Sequence, residues 1–331
     1  MPDIRRRLGW TMVILSLLLH LFTVLCFSRQ PDRLAAFTVM PIWLWGSLGL
    51  FLSAVAFYFL RASLSLIVTA VWALTILVGS DEARALGHIG KQEPLPGPAE
   101  PYRSQPVIRV ITLNAGSFAF GNPAADIAAW QPDIVLLQQT FPWQVQQLAE
   151  TLYGGKGDHR SQLTNGIVTR WKIQTEQRHH LLRGQQLSIV RPDGSLIEVV
   201  NVHLATAATD LALWNRSTWV SHYRNRQLRR REISMALQIL DQTTPFPATP
   251  TIFGGDFNAP ATDVVHRHLA ADFVDAFSEV GTGWGDTFHR RLPILRIDHI
   301  YATRHFTPVR CRAVTTRHSD HRFVVADFLM R

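Results

Sequence analysis

Apolar residues crowd the first quarter of the chain and then settle into short alternating runs. Three stretches, residues 8–27, 34–60 and 62–79, carry almost no charge. A bilayer core takes about 20 residues of apolar helix, so the first two are long enough to cross and the third is marginal. Only Arg61 separates the second from the third, which predicts a tight helical hairpin. The first run is too long for the apolar part of a cleavable signal, no small-residue cleavage site follows Phe27, and further apolar runs come after it. The pattern predicts an N-terminal bundle of about three transmembrane helices over residues 1–80, with two as the competing count.

The pattern changes twice more. Pro94, Pro96, Pro98, Pro101 and Pro106, with Gly90 and Gly97, punctuate residues 91–106. Such a run cannot continue a helix and reads as a semi-rigid spacer, so residues 81–106 are expected to link the bundle to a separate domain at 107–331. There, β-branched runs at 107–113, 134–137, 166–169, 197–203, 251–254, 297–301 and 323–328 predict strands. Residues 124–130, 142–151 and 223–241 predict helices, the last with Leu228, Leu237 and Leu240 turned inward. Segments 117–123, 154–165 and 205–221 are left as loops. This alternation predicts an α/β sandwich, with Asn114, Gln139, His203, Asp256 and Asp298 at strand ends.

Charge sharpens the picture only a little. Before residue 81 there are six basic and two acidic side chains, and after it 27 and 23, so each part carries +4. That balance suits a phosphate-bearing substrate or an anionic membrane surface and offers no strongly basic face for nucleic acid. Arg5, Arg6 and Arg7 before the first run favour a cytoplasmic N-terminus. Three crossings then put the second domain on the periplasmic or extracellular side of a bacterial cell membrane, whereas two return it to the cytoplasm. Cys26 and Cys311 lie too differently to pair, and no spacing resembles a zinc site. The basic stretch Arg224, Arg226, Arg229, Arg230 and Arg231 reads as a solvated helix face or a headgroup contact, and His179, His180, His266 and His268 as solvated.

Four short motifs carry the chemistry. In the run 254–260, glycines at 254 and 255 let the backbone turn sharply and present Asp256 and Asn258 two residues apart. Arg296-Ile297-Asp298-His299 sets an acid in an apolar strand, where it is costly unless paired. His318-Ser319-Asp320-His321 offers carboxylate and imidazole side by side, and His203 ends another strand. Each has a plainer reading as a turn cap or a satisfied histidine.

Together, in this order, the motifs resemble the endonuclease/exonuclease/phosphatase (deoxyribonuclease I-like) superfamily. Asn114 and the Pro132-Asp133-Ile134-Val135 strand are similar to its first two strands, and the N-terminal helices resemble its bacterial membrane-anchored members. The resemblance spans residues 107–331. It implies a four-layer α/β sandwich and a phosphoesterase using Mg²⁺ or Mn²⁺. It further implies that Asp256 orients or deprotonates water, that Asn258 and His203 hold phosphate, and that His321, fixed by Asp298, donates to the phosphoryl oxygen. Asn114, Asp320 and the residue at position 139 would hold the metal.

The family's second strand ends in Leu-Gln-Glu, whereas this chain has Gln139 at the Glu position. An amide still offers an oxygen ligand, but the site loses a full negative charge and with it metal affinity. Three readings follow. The first is a membrane-anchored hydrolase of a phosphodiester or phosphomonoester, of a lipid or other membrane-associated substrate. The second is a nuclease acting on DNA or RNA. The third is a weakened, phosphate-binding membrane protein.

Overall fold

The computed structural model describes residues 2–88, 107–177, 183–206 and 211–331. The expected spacer at 91–106 and the pair His179 and His180 lie outside the described residues. The N-terminal part consists of α1 (Pro2–Arg29), α2 (Ala35–Val39), α3 (Ile42–Leu60), α4 (Ser63–Gly79) and α5 (Asp81–Leu86). Two helices, Asp3–Arg29 and Ile42–Leu60, are long and apolar enough to cross a membrane; Ser63–Gly79 is apolar but has only 17 residues.

The run expected as one helix over 34–60 is therefore two. Pro41 cannot donate a backbone N–H, and it sits extended (φ −63°, ψ 147°) at the start of α3. Arg61 closes the expected hairpin in the left-handed region (φ 49°), its N–H donating to the Phe57 carbonyl. Small residues let the three long helices close up. A Cβ on Gly49 would lie 1.9 Å from the Trp72 ring, and the Trp72 indole donates to Ser16 Oγ at 3.0 Å, which itself donates to the Gly49 carbonyl.

The second part holds two six-stranded sheets. One runs β11-β12-β1-β2-β4-β3, from β1 (Val107–Asn114), β2 (Ile134–Gln138), β3 (Asp158–Gln162), β4 (Asn165–Thr169), β11 (Phe306–Val314) and β12 (Phe323–Met330). The other runs β5-β6-β7-β8-β10-β9, from β5 (Lys172–Gln177), β6 (Gly184–Val190), β7 (Leu196–His203), β8 (Thr251–Asp256), β9 (Phe273–Asp275) and β10 (Asp298–Thr303). We call them sheet A and sheet B. Helices α6 (Ala124–Ala128) and α7 (Pro142–Tyr153) cover the outer face of A, and α8 (Arg216–Thr243) that of B; a short α9 (Ala276–Val280) packs beside β10 and β11.

Strand parity builds the layers, because successive side chains point to opposite faces. Ile108, Val110, Ile134, Leu136, Val199, Ile252 and Ile300 fill the space between the sheets. Their neighbours Ile111, Leu113, Val135 and Leu137 meet α6 and α7, and Val200, Val202, Phe253 and Tyr301 share a core with α8. The result is helix, sheet, sheet, helix, as the resemblance implies. Followed to the strand ends, the inward parity passes from apolar residues to Thr112, Asn114, Gln138, Asn201, His203, Asp256 and Asp298. The site is the polar end of the inter-sheet layer.

Five strands escape the sequence reading. β3 lies inside the segment left as a loop at 154–165, because its five residues are polar and half-buried at a sheet edge. β11, the opposite edge, contains Pro308 at a register shift. β5, β6 and β9 also appear, with Gln185 and Gln186 of β6 buried. α8 begins at Arg216, so the supposed loop at 205–221 ends earlier, and Leu228 is exposed rather than inward.

Candidate active site

Two close approaches set the position of Asp256. Gly255 has φ +136°, and a Cβ there would fall 2.0 Å from the Val202 carbonyl oxygen. Gly254 faces the inter-sheet space, where a Cβ would press on Leu136 and on the His299 carbonyl. β8 can thus lie flat between β7 and β10, with Asp256 in register with His203 on one side and Asp298 on the other. Asp256 Oδ1 accepts the Asn258 backbone N–H at 2.8 Å, and Oδ2 accepts the Asn114 side-chain amide at 2.9 Å. His203 Nε2 lies 3.7 Å from Oδ2, beyond hydrogen-bond distance, and has no hydrogen-bond partner among the described residues.

Asp298 is braced from two sides. The Thr287 hydroxyl accepts the backbone N–H groups of Ile297 and Asp298, at 3.2 and 3.3 Å. Its Oδ2 lies 2.8 Å from His321 Nδ1, and the His321 ring packs 5.1 Å from the Phe288 ring. His321 is held by Ser319, whose hydroxyl accepts the His321 N–H at 3.0 Å and donates to the Asn114 carbonyl at 2.6 Å. Nδ1 is thus the ring nitrogen engaged with Asp298.

These contacts set the charges. Burial raises the pKa of Asp256, and the neighbouring Asp298 raises it further. Burial works against a charged His321, yet Asp298, Asp256 and Asp320 outweigh it and lift its pKa to about 9. The imidazole is a proton donor at neutral pH.

Among the described residues, the His, Cys, Asp and Glu side chains close enough to share an ion are Asp256, Asp298 and His321, with ligand atoms within 4.8 Å of one another. Asp320 stands outside that group. It is half-buried beside the loop after β1, where a Cβ on Gly116 would lie 3.7 Å from its Oδ1. Asn114 Oδ1 accepts the Gly116 N–H at 3.1 Å. Gln139 is half-buried just past β2 in the left-handed region (φ 50°), and its carbonyl accepts the Ser117 N–H. Asn258 also has positive φ (49°) and spends one amide N–H on the Leu204 carbonyl at 3.0 Å.

The residue set is compatible with a divalent ion. Asp298 Oδ1 is buried without a hydrogen-bond partner, and two buried carboxylates share one imidazolium. Asn114, Gln139 and Asp320 add hard oxygen donors of the kind Mg²⁺ prefers.

Residues 111–321, most of the sandwich, match the sequence profile of the Endonuclease/Exonuclease/phosphatase family. The chain belongs to that family. Its members hydrolyse phosphoester bonds. The fold agrees with a family protein from Bacteroides thetaiotaomicron (TM-score 0.54, 16% identity, 69% of this chain and 99% of that one). It agrees too with a mannosyl-6-phosphatase from the same organism (TM-score 0.53, 16% identity, 67% and 100%). A D. rerio TDP2 solved with a single-strand DNA product is also similar (TM-score 0.51, 17% identity, 67% and 98%). At these identities the likeness establishes the fold. No curated protein matches the sequence.

Several supporting residues were not legible as such. Gln138, beside the suspect Gln139, donates to Thr112 Oγ1 and to Asn201 Oδ1, and Asn201 donates to the Leu137 and Gly166 carbonyls, tying sheet B to sheet A. Thr287 gave no signal in sequence at all. The basic stretch of α8 is not one solvated face. Arg226 and Arg229 are buried against Asp263, Arg226 also reaches Thr38 on α2, and Arg230 pairs with Asp32, while Arg224 and Arg231 are exposed. His266 is likewise buried, between the Ala259 carbonyl and the Tyr301 hydroxyl, and burial lowers its pKa to about 3. Phe323 packs against Trp130 in the outer layer of sheet A.

Proposed function

We propose that this chain is a membrane-anchored phosphoesterase that cleaves a phosphodiester or phosphomonoester. The observation that carries the reading is the hydrogen-bonded His321–Asp298 pair set against the buried Asp256 at one strand-end junction. Asp256 holds and deprotonates the attacking water, its raised pKa making it a better base than an exposed carboxylate. His321 Nε2 donates to the phosphoryl oxygen as negative charge grows, and Asp298 keeps the ring oriented and protonated. His203 and the free amide N–H of Asn258 steady the phosphate. Asn114, Gln139 and Asp320 would hold Mg²⁺ or Mn²⁺, which when bound offsets charge on the phosphoryl oxygens.

In this reading α1, α3 and α4 are three membrane crossings, with α4 short. Arg5, Arg6 and Arg7 keep the N-terminus in the cytoplasm of a bacterial cell and the catalytic domain on the periplasmic or extracellular side. A phosphate-binding role without cleavage is favoured by one observation, the neutral Gln139; the intact proton-handling residues oppose it. A nuclease role draws on the DNA-bound relative and is opposed by the near-balanced charge.

The test is hydrolysis of aryl phosphodiesters and phosphomonoesters by the full chain in detergent, with Mg²⁺, Mn²⁺ or a chelator. Metal-dependent turnover that His321→Ala cuts by about a thousandfold supports the enzyme. Phosphate binding with no turnover, in a chain that Gln139→Glu makes active, would establish the binding reading instead.

A further inference from the structure

The helix bundle meets the catalytic domain along the outer helix α8 and at the rim of the site. Gln30, just past α1, donates to the Thr262 carbonyl at 2.8 Å, four residues beyond Asn258. At the start of α3, Trp43 meets Trp284 edge-on at 5.6 Å, and Trp45, Leu211, Leu213 and Phe288 pack around one shared apolar cluster. Val39 and Met40 share a core with Leu295 and Ile297, immediately before Asp298. The end of α4 is at the same place, since a Cβ on Gly79 would fall 2.8 Å from Ile42.

The rim also carries most of the exposed large apolar side chains of the domain. Trp214 (90% exposed) and Leu292 (73%) stand on two different site-end loops and Trp143 (61%) in the first turn of α7, joined by Phe120, Phe141 and Trp284. At the opposite pole, among the described residues, Leu196 is the large apolar side chain left exposed. Monomeric soluble domains rarely gather such a set on one face, and tryptophan is the side chain enriched at membrane–water interfaces. Arg291 and Arg317 are exposed among them, and Arg290 lies 4.8 Å over the Phe120 ring.

We propose that the catalytic rim lies face-on to the bilayer, with Trp214, Trp284 and Leu292 in the headgroup layer. The site then takes the phosphoester of an amphiphile resident in that leaflet. Loops that touch the end of a membrane-crossing bundle lie at the depth where that bundle leaves the membrane. The inference rests on the membrane-anchored phosphoesterase reading and narrows its substrate to lipid-borne phosphoesters.

Single cysteines placed by Trp214→Cys, Leu292→Cys, Leu66→Cys on α4 and Asp193→Cys at the far pole can be spin-labelled in the full chain, because Cys26 and Cys311 are buried. In nanodiscs of phosphatidylethanolamine and phosphatidylglycerol, labels at 214 and 292 are expected to be shielded from a water-soluble nickel reagent, and that at 193 open to it. Rim labels as open as 193, with 66 shielded, overturn the inference and leave the anchor standing. If 66 is open as well, the anchor reading fails and takes the inference with it.

Activity gives the second arm. In nanodiscs, an aryl phosphodiester bearing a hexadecyl chain should exceed its methyl counterpart in kcat/KM by at least about tenfold, through local concentration. Trp214→Ser with Leu292→Ser should erase that preference and leave the methyl substrate unchanged. Equal rates in the wild type overturn the lipid assignment. No turnover of either substrate sinks the phosphoesterase reading and the lipid assignment with it, while the labels still decide how the rim lies.

Discussion

The strand ends of the two sheets meet at the site with unlike chemistry. Sheet B ends β8 and begins β10 in buried carboxylates, Asp256 and Asp298, each held by backbone N–H donors or a hydroxyl brace. Sheet A ends β1 in an amide, Asn114, and β2 is followed by another, Gln139. Its one carboxylate at the site is the half-buried Asp320 in the loop before β12. The carboxylate–imidazole side is thus tightly held, and the amide side is weak in charge. On the proposed reading, ion occupancy rather than proton transfer is expected to limit the rate at low metal.

Asp298→Asn strikes the stronger side and should have the largest effect. Removing the charge that opposes desolvation lets the His321 pKa fall from about 9, so the donor is lost from neutral pH upward. We expect about a hundredfold loss in kcat. The imidazole resonances of metal-free protein, followed by NMR against pH, should show the titration move down.

Gln139→Glu erases the difference between the two sides. Restoring a carboxylate should lower the Mg²⁺ concentration for half-maximal activity by about tenfold, with a smaller change in kcat at saturating metal. A metal titration of both proteins reads this directly. An unchanged midpoint would mean that the ion is held elsewhere, with Asp256, Asp298 and His321 the alternative.

The smallest effect concerns the scaffold under Asp298. Asp286, next to Thr287, is buried, and burial together with Glu82 raises its pKa from 3.8 to about 9. Because the folded protein holds this proton more tightly than the unfolded chain, Asp286 contributes stability below pH 3.8 that is progressively lost as pH rises towards 9. Asp286→Asn should flatten the fall in Tm across that window, and calorimetry at several pH values checks it.

How far the sequence carried this comparison differs between its sides. The residues of sheet B were legible because glycine, carboxylate and histidine stand in short motifs whose spacing survives in the strand registers. The gathering of His321 with Asp298 and Asp256 needed the resemblance, since nothing local says that a loop before β12 meets β10. Thr287 and Asn201 were invisible, because their work is done by hydrogen bonds across sheets rather than by any local pattern. The edge strands β3 and β11 hid behind polar residues and Pro308, as edges exposed to water require no apolar alternation. The two-helix split at Pro41 was written in the sequence; the length of the apolar run masked it.

One hydrogen bond carries a consequence for the timing of activity. The Ser319 hydroxyl reaches the Asn114 carbonyl across 205 residues of chain, and the same serine seats His321. Contacts so distant in sequence form late, after the intervening loops have closed. A nascent chain can therefore have β1, β2 and the Asp256 turn in place and still lack its proton donor. On the proposed reading, competence is expected only once β12 has docked beside β1.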